Sequence, residues 1–66
     1  MRELILKRIE EIRRYHGGFS KFNMRWQNFS NGTDKTHISE LNFEAMNDIE
    51  LLFVFERLVR RHNMQM

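Results

Sequence analysis

Apolar residues recur with helical spacing at both ends of the chain. From Asp48 to His62, Leu51, Leu52, Phe55, Leu58 and Val59 fall on one broad face at about 100° per residue. Glu50, Glu56, Arg57, Arg60 and Arg61 fall on the opposite side. Asn47 or Asp48 supplies a short side-chain oxygen to cap the first turn. Glu50 near the start and Arg57, Arg60, Arg61 and His62 toward the end suit the helix macrodipole. Glu56 and Arg60 stand in the favourable acid-first order four residues apart. Ile49 and Phe53 break the pattern, because they project from the charged side among Glu56, Arg57 and Arg60.

Residues 2–16 repeat the pattern. Leu4, Ile5, Ile9 and Ile12 share a face, with Tyr15 and His16 at its margins. Glu3–Lys7 and Glu10–Arg14 are acid-first pairs, and Arg13 and Arg14 load the last turn. Leu6 is a second apolar residue on a polar side, near Glu10 and Arg13. Gly17-Gly18 ends this helix, since glycine takes the left-handed conformation after a helix without steric cost.

The middle of the chain supports two periods. Phe19, Phe22, Trp26 and Phe29 have a 3-4-3 spacing that predicts a helix over 19–30, with Ser20 as cap and Asn31-Gly32 as stop. Phe22, Met24 and Trp26 also alternate with polar residues, and Asn31-Gly32 is a strong hairpin dipeptide. Residues 38–46 lead toward the last helix through a short helical turn and a bend. The expectation is an all-α fold: a small helical domain with antiparallel N- and C-terminal helices and a short helical middle segment. The alternative is an α+β fold with a β-hairpin at about 21–43. The tail beyond His62 is expected to fray.

Composition limits what such a fold can be. Sixty-six residues make one domain, 1–66, with a core that is marginal by itself. There is no cysteine, so neither a disulfide nor a thiolate zinc site is available. No apolar run approaches a membrane span, and Glu3 follows Arg2 too closely for a secretory leader. The glycosylation patterns at Asn28 and Asn31 then read as chance, and the expected location is cytoplasmic, with no membrane partner. Net charge is only +2, with the basic excess in the first half of the chain.

Candidate chemistry is sparse. His16, His37 and His62 are far apart in sequence. Asp34, His37 and Glu40 share a three-residue spacing but lie in a loop without visible supporting groups, a poor basis for a metal site. Ser39 beside His37 suggests a nucleophile and base, but an orienting group, an oxyanion hole and a walled pocket are also required. No catalytic, cofactor-binding or metal-binding residue is therefore expected, and the chain is expected not to be an enzyme.

Two functional expectations remain. The first is a small interaction or regulatory protein that binds another protein or associates with itself, through Ile49, Phe53, Arg57, Arg60 and Leu6. An aromatic residue flanked by arginines is a composition enriched at interface cores, and a homodimer would by default be twofold. The second is a nucleic-acid-binding module. Lys7, Arg8, Arg13, Arg14, Lys21 and Arg25 would contact phosphates, and Trp26 would stack on a base.

Overall fold

In the computed structural model, residues 1–27 and 35–64 are described. Helix α1 (Arg2–Tyr15) is followed by strands β1 (Arg25–Gln27) and β2 (Lys35–His37). Two single 3-10 turns, Ile38–Glu40 and Phe43–Ala45, lead into helix α2 (Asp48–Met64). The chain is mostly helical, but its middle carries a two-stranded antiparallel sheet.

The glycines end α1 as a Schellman motif. The Gly18 N–H donates to the Arg13 carbonyl at 2.8 Å and the Gly17 N–H to the Arg14 carbonyl at 3.2 Å. Both glycines have positive φ, +70° and +112°, which side-chain-bearing residues rarely adopt. At the other helix, Asn47 is the cap: its side-chain oxygen accepts from the Glu50 N–H at 2.8 Å. The helix then runs through Asn63 to Met64, past the point where fraying was expected.

The two helices are parallel, which corrects the antiparallel expectation. The Arg2 guanidinium reaches the Asp48 carboxylate at 2.9 Å, joining the two first turns. The His16 and His62 rings meet at 2.7 Å, joining the two last turns. A short loop would have forced antiparallel neighbours. Here the connection carries core residues of its own and returns the chain to the starting end before α2 begins.

The middle segment is a second correction. Residues 19–27, the described part of the 19–30 segment, do not form the expected helix. A turn follows the glycines, and the chain then extends into β1. Phe22, Met24 and Trp26 are buried, whereas Asn23, Arg25 and Gln27 are exposed, the two-residue period of a strand with one face on a core. Trp26 stands opposite Thr36, with Arg25 opposite His37 and Gln27 opposite Lys35. The Asn31-Gly32 dipeptide lies outside the described residues.

One histidine fastens this sheet. The His37 ring Nε2 lies 2.6 Å from the Phe22 carbonyl, which can only accept, so Nε2 carries the proton. Its Nδ1 accepts from the Ser39 backbone N–H at 3.1 Å and caps the first 3-10 turn. Ile38, fully buried, follows directly, and its N–H donates to the Met24 carbonyl at 3.0 Å.

The core joins Ile9 and Ile12 of α1, Phe19, Phe22, Met24 and Trp26 of the middle, Ile38, Met46, and Leu51, Val54 and Leu58 of α2. Its phase differs slightly from the expected faces. Leu4 and Leu52 are exposed, while Leu6 packs against the core, in a cleft shared with Leu41 and Phe43. On α2 the buried face turns toward Glu50, Val54 and His62, because β1 covers that flank of the helix.

Candidate functional site

Three concave surfaces among the described residues divide the sequence candidates. The first is a groove of about 480 Å³ between β1 and α2. Met24 and Trp26 enter it from the strand side, and Phe53, Glu56, Arg57, Arg60, Arg61 and Met64 from the helix. Positions 53, 57, 60 or 61, and 64 recur every three to four residues, so one helical flank supplies that wall. The Arg57 guanidinium carbon lies 5.9 Å from the centre of the Trp26 ring, within cation–π range. Arg60 approaches Glu56 at 3.4 Å on the exposed surface. Among the described residues, Arg57 and Arg61 enter no ion pair. Phe53 is 47% exposed. The groove thus offers a sulfur-and-aromatic floor under a rim of three arginines and one glutamate, Glu56, which pairs with Arg60.

Phe53, Arg57 and Arg60 are brought together, but Ile49 and Leu6 are not part of this groove. Ile49, 66% exposed, lines a smaller apolar cleft of about 240 Å³ with Met1, Ile5 and Leu52 at the first turns of the helices. Leu6 lies in a third cleft, about 550 Å³, between α1 and the 3-10 turns. Met24, Arg61 and Met64 belong to the groove without having been singled out. Arg61 and Met64 extend the Phe53–Arg57 spacing. Met24 is in phase with Trp26 once the strand period is adopted.

The nucleic-acid candidates are dispersed. Lys7, Arg13 and Arg14 line the third cleft, and Trp26 lines the groove. Arg13 donates to both carboxylate oxygens of Glu10, at 2.9 and 2.6 Å, and Arg14 approaches the same carboxylate at 3.4 Å. The hydrogen bond from Arg13 holds the Glu10 carboxyl below the usual glutamate value, and the same bond raises the Arg13 guanidinium. Arg8 pairs with Glu11 at 3.3 Å. Lys21 and Arg25 are exposed, but Trp26 is buried beneath its neighbours.

The Ser39 hydroxyl oxygen does lie 2.8 Å from His37 Nδ1. That same nitrogen accepts the Ser39 backbone N–H, and the other ring nitrogen is held by a carbonyl. The arrangement is a capped turn whose imidazole lone pair is already engaged. Asp34 lies outside the described residues. No cluster of three or more potential metal ligands forms among those described.

The last turns of α1 and α2 hold a contact that sequence spacing does not reveal. His62 is buried, its ring edge-on to His16 at 5.0 Å and to Tyr15 at 5.4 Å between centroids. Burial pushes the His62 ring below the ordinary histidine value, and the charges of His16 and Arg8 push in the same direction. One ring must donate and the other accept across the 2.7 Å contact, so the pair accommodates neutral rings or a single shared positive charge.

No described helix is long and apolar enough to cross a membrane. Comparison with protein-family models, curated proteins and solved structures returns no match to this chain.

Proposed function

We propose that this chain is a small non-catalytic binding protein that grips an acidic segment of a partner protein in the groove between β1 and α2. The observation that carries this reading is the convergence of Phe53, Arg57, Arg60 and Arg61 over a floor of Met24, Trp26 and Met64. An apolar anchor of the partner enters between Phe53 and the methionines, whose flexible thioethers adapt to its shape. Carboxylates flanking that anchor engage the guanidinium groups, which present paired donors in a fork. Arg57, already stacked on Trp26, is pre-oriented for this role. A protein segment is favoured over nucleic acid on two grounds. Glutamates already occupy the arginines of α1, and the tryptophan is part of the core.

Trp26 is the only tryptophan and lines the groove, so its emission reports occupancy. A displayed random-peptide library panned on the protein should enrich sequences with Asp or Glu around a Leu or aromatic residue. Synthetic versions should shift Trp26 fluorescence saturably. Phe53→Glu and Arg57→Glu should each weaken binding by about tenfold or more, as expected for interface anchors, while far-ultraviolet circular dichroism stays unchanged. Enriched peptides that bind both variants as well as the parent, or a library that yields no such sequences, would remove the groove as the working surface.

A further inference from the structure

One edge of β1 is taken by β2. The Ile38 N–H donates to the Met24 carbonyl at 3.0 Å, and the His37 Nε2 donates to the Phe22 carbonyl at 2.6 Å. The even-numbered residues from 22 to 26 therefore direct their backbone groups toward β2, and the pairing of Trp26 with Thr36 keeps that phase. Neighbouring residues of a strand present their N–H and C=O to opposite edges. Asn23 and Arg25 thus turn theirs away from β2. Both residues are exposed, and among the described residues no hydrogen bond engages their backbone groups.

This second edge lies beside the groove. Ile38 and Ser39, which continue β2, line the cleft against α1, whereas Met24 and Trp26 line the groove against α2. The sheet has β2 on the α1 side and β1 on the groove side, so the open edge of β1 forms the strand-side lip of the groove. Along that lip a backbone donor and acceptor recur every two residues, about 6.7 Å apart. The ligand that matches such a repeat is an extended polypeptide, added as a further strand. Charge narrows the choice. Arg25 stands on the outer face of the lip, and Arg57 and Arg61 stand across the groove, while Glu56 is matched by Arg60. A second copy presenting the same edge would bring its own Arg25 to this one, whereas opposite charges on neighbouring strands attract.

We propose that the acidic segment taken up by the groove binds as an extended strand along the open edge of β1. This mode of binding rests on the groove's being the working surface, and it adds the shape of the occupant. The apolar anchor turns toward α2, to Phe53 and Met64. Its immediate neighbours turn outward, where acidic side chains meet Arg25. The residues two removed from the anchor turn toward α2 again, where carboxylates meet Arg57 and Arg61. The recognised motif is a single apolar residue with acids one and two positions to either side. A helical ligand would instead space its contacts three and four residues apart.

The probe is the blocked pentapeptide Glu-Glu-Leu-Glu-Glu, titrated to about 1 mM against the purified full chain with Trp26 emission as readout. Binding should be saturable, and Phe53→Glu should weaken it by about tenfold or more. With the peptide present, amide exchange of the wild type should slow about tenfold or more at Asn23 and Arg25. Arg25→Pro deletes the edge N–H without touching a ladder bond, a change that edge strands tolerate. It should weaken binding about tenfold beyond Arg25→Ala, which removes the charge alone. N-methylation of alternate peptide nitrogens should abolish binding in one phase and be tolerated in the other. Binding that depends on Phe53 but leaves both amides unprotected overturns the extended mode and leaves the groove standing. So does equal loss in both methylated phases, or equal affinity of Arg25→Pro and Arg25→Ala with both folded by circular dichroism. A pentapeptide that does not bind overturns the strand motif. If the peptides enriched by panning fail as well, the groove falls with it.

Discussion

At the scale of single residues, His62 shows how a polar group can be placed in a core at the cost of a pH limit. The fold disfavours a proton on its ring, first by burial and then by the neighbouring charges of His16 and Arg8. In the unfolded chain the ring regains an ordinary value near 6.5. Above that pH both states are neutral there and the group does not oppose folding. As pH falls through the unfolded value, the unfolded chain takes up a proton that the folded chain resists, so stability drops until folded His62 also titrates. Urea midpoints measured from pH 8 to pH 5 should therefore decline more steeply in the wild type than in His62→Gln. Parallel profiles would mean that His62 does not sense protons in the fold. Gly18 is a second residue whose role rests on one quantity, its φ of +112°. Gly18→Ala has room for the added carbon but not the conformation. It should destabilise by about 1–2 kcal/mol, read as a shift of the denaturation midpoint. No change would mean that the turn relaxes.

At the scale of elements, local capping chemistry separates what the sequence reveals from what it hides. Both helices are legible because their caps and charges agree with their periodicity: Gly17-Gly18 after α1, and Asn47 before α2 with Glu50 at the position whose N–H donates to it. Asn47→Ala removes that acceptor and should cost about 1 kcal/mol, with fraying confined to the first turn of α2 in hydrogen exchange. The middle is less legible because two periods coincide there. Phe22 and Trp26 are four residues apart, which suits a helix, and Met24 between them suits a strand. The strand prevails because its partner is supplied from far along the chain, by Thr36 and the His37 bond to Phe22. His37→Ala would lose that bond and the Ser39 cap together. It should destabilise by roughly 1–3 kcal/mol and loosen the sheet before the helices, visible as early exchange of the Ile38 amide. Leu4 and Leu6 exchange expected places for a related reason. The 3-10 turns cover the Leu6 flank of α1, and nothing in residues 2–16 encodes which flank a later segment will cover. Likewise, Phe53, Arg57 and Arg60 could be recognised as one cluster from helical spacing alone, whereas Met24 and the His16–His62 contact depend on tertiary placement.

At the scale of the whole molecule, the parallel orientation of α1 and α2 decides the rest. It places both N-termini at one end, beside the Arg2–Asp48 pair, and both C-termini at the other, beside the histidines. It obliges the chain between them to cross back along the pair and thereby supplies the strand that walls the groove. An antiparallel hairpin of the same two helices would leave His16 far from His62. The absence of cysteine makes this orientation directly measurable, because introduced thiols would be the only ones present. Spin labels at Glu3→Cys and Ile49→Cys should be close, since both positions lie in first turns. Labels at Glu3→Cys and Asn63→Cys should be clearly farther apart, because fourteen helical residues add a rise of about 20 Å along the axis to the lateral separation. All three positions are exposed. Diluting labelled protein into an excess of unlabelled chain keeps the distances within one protomer. The reverse order of distances would identify an antiparallel pair and would remove the shared histidine contact with it. The expected order would leave the groove to be decided on its own, by peptide binding.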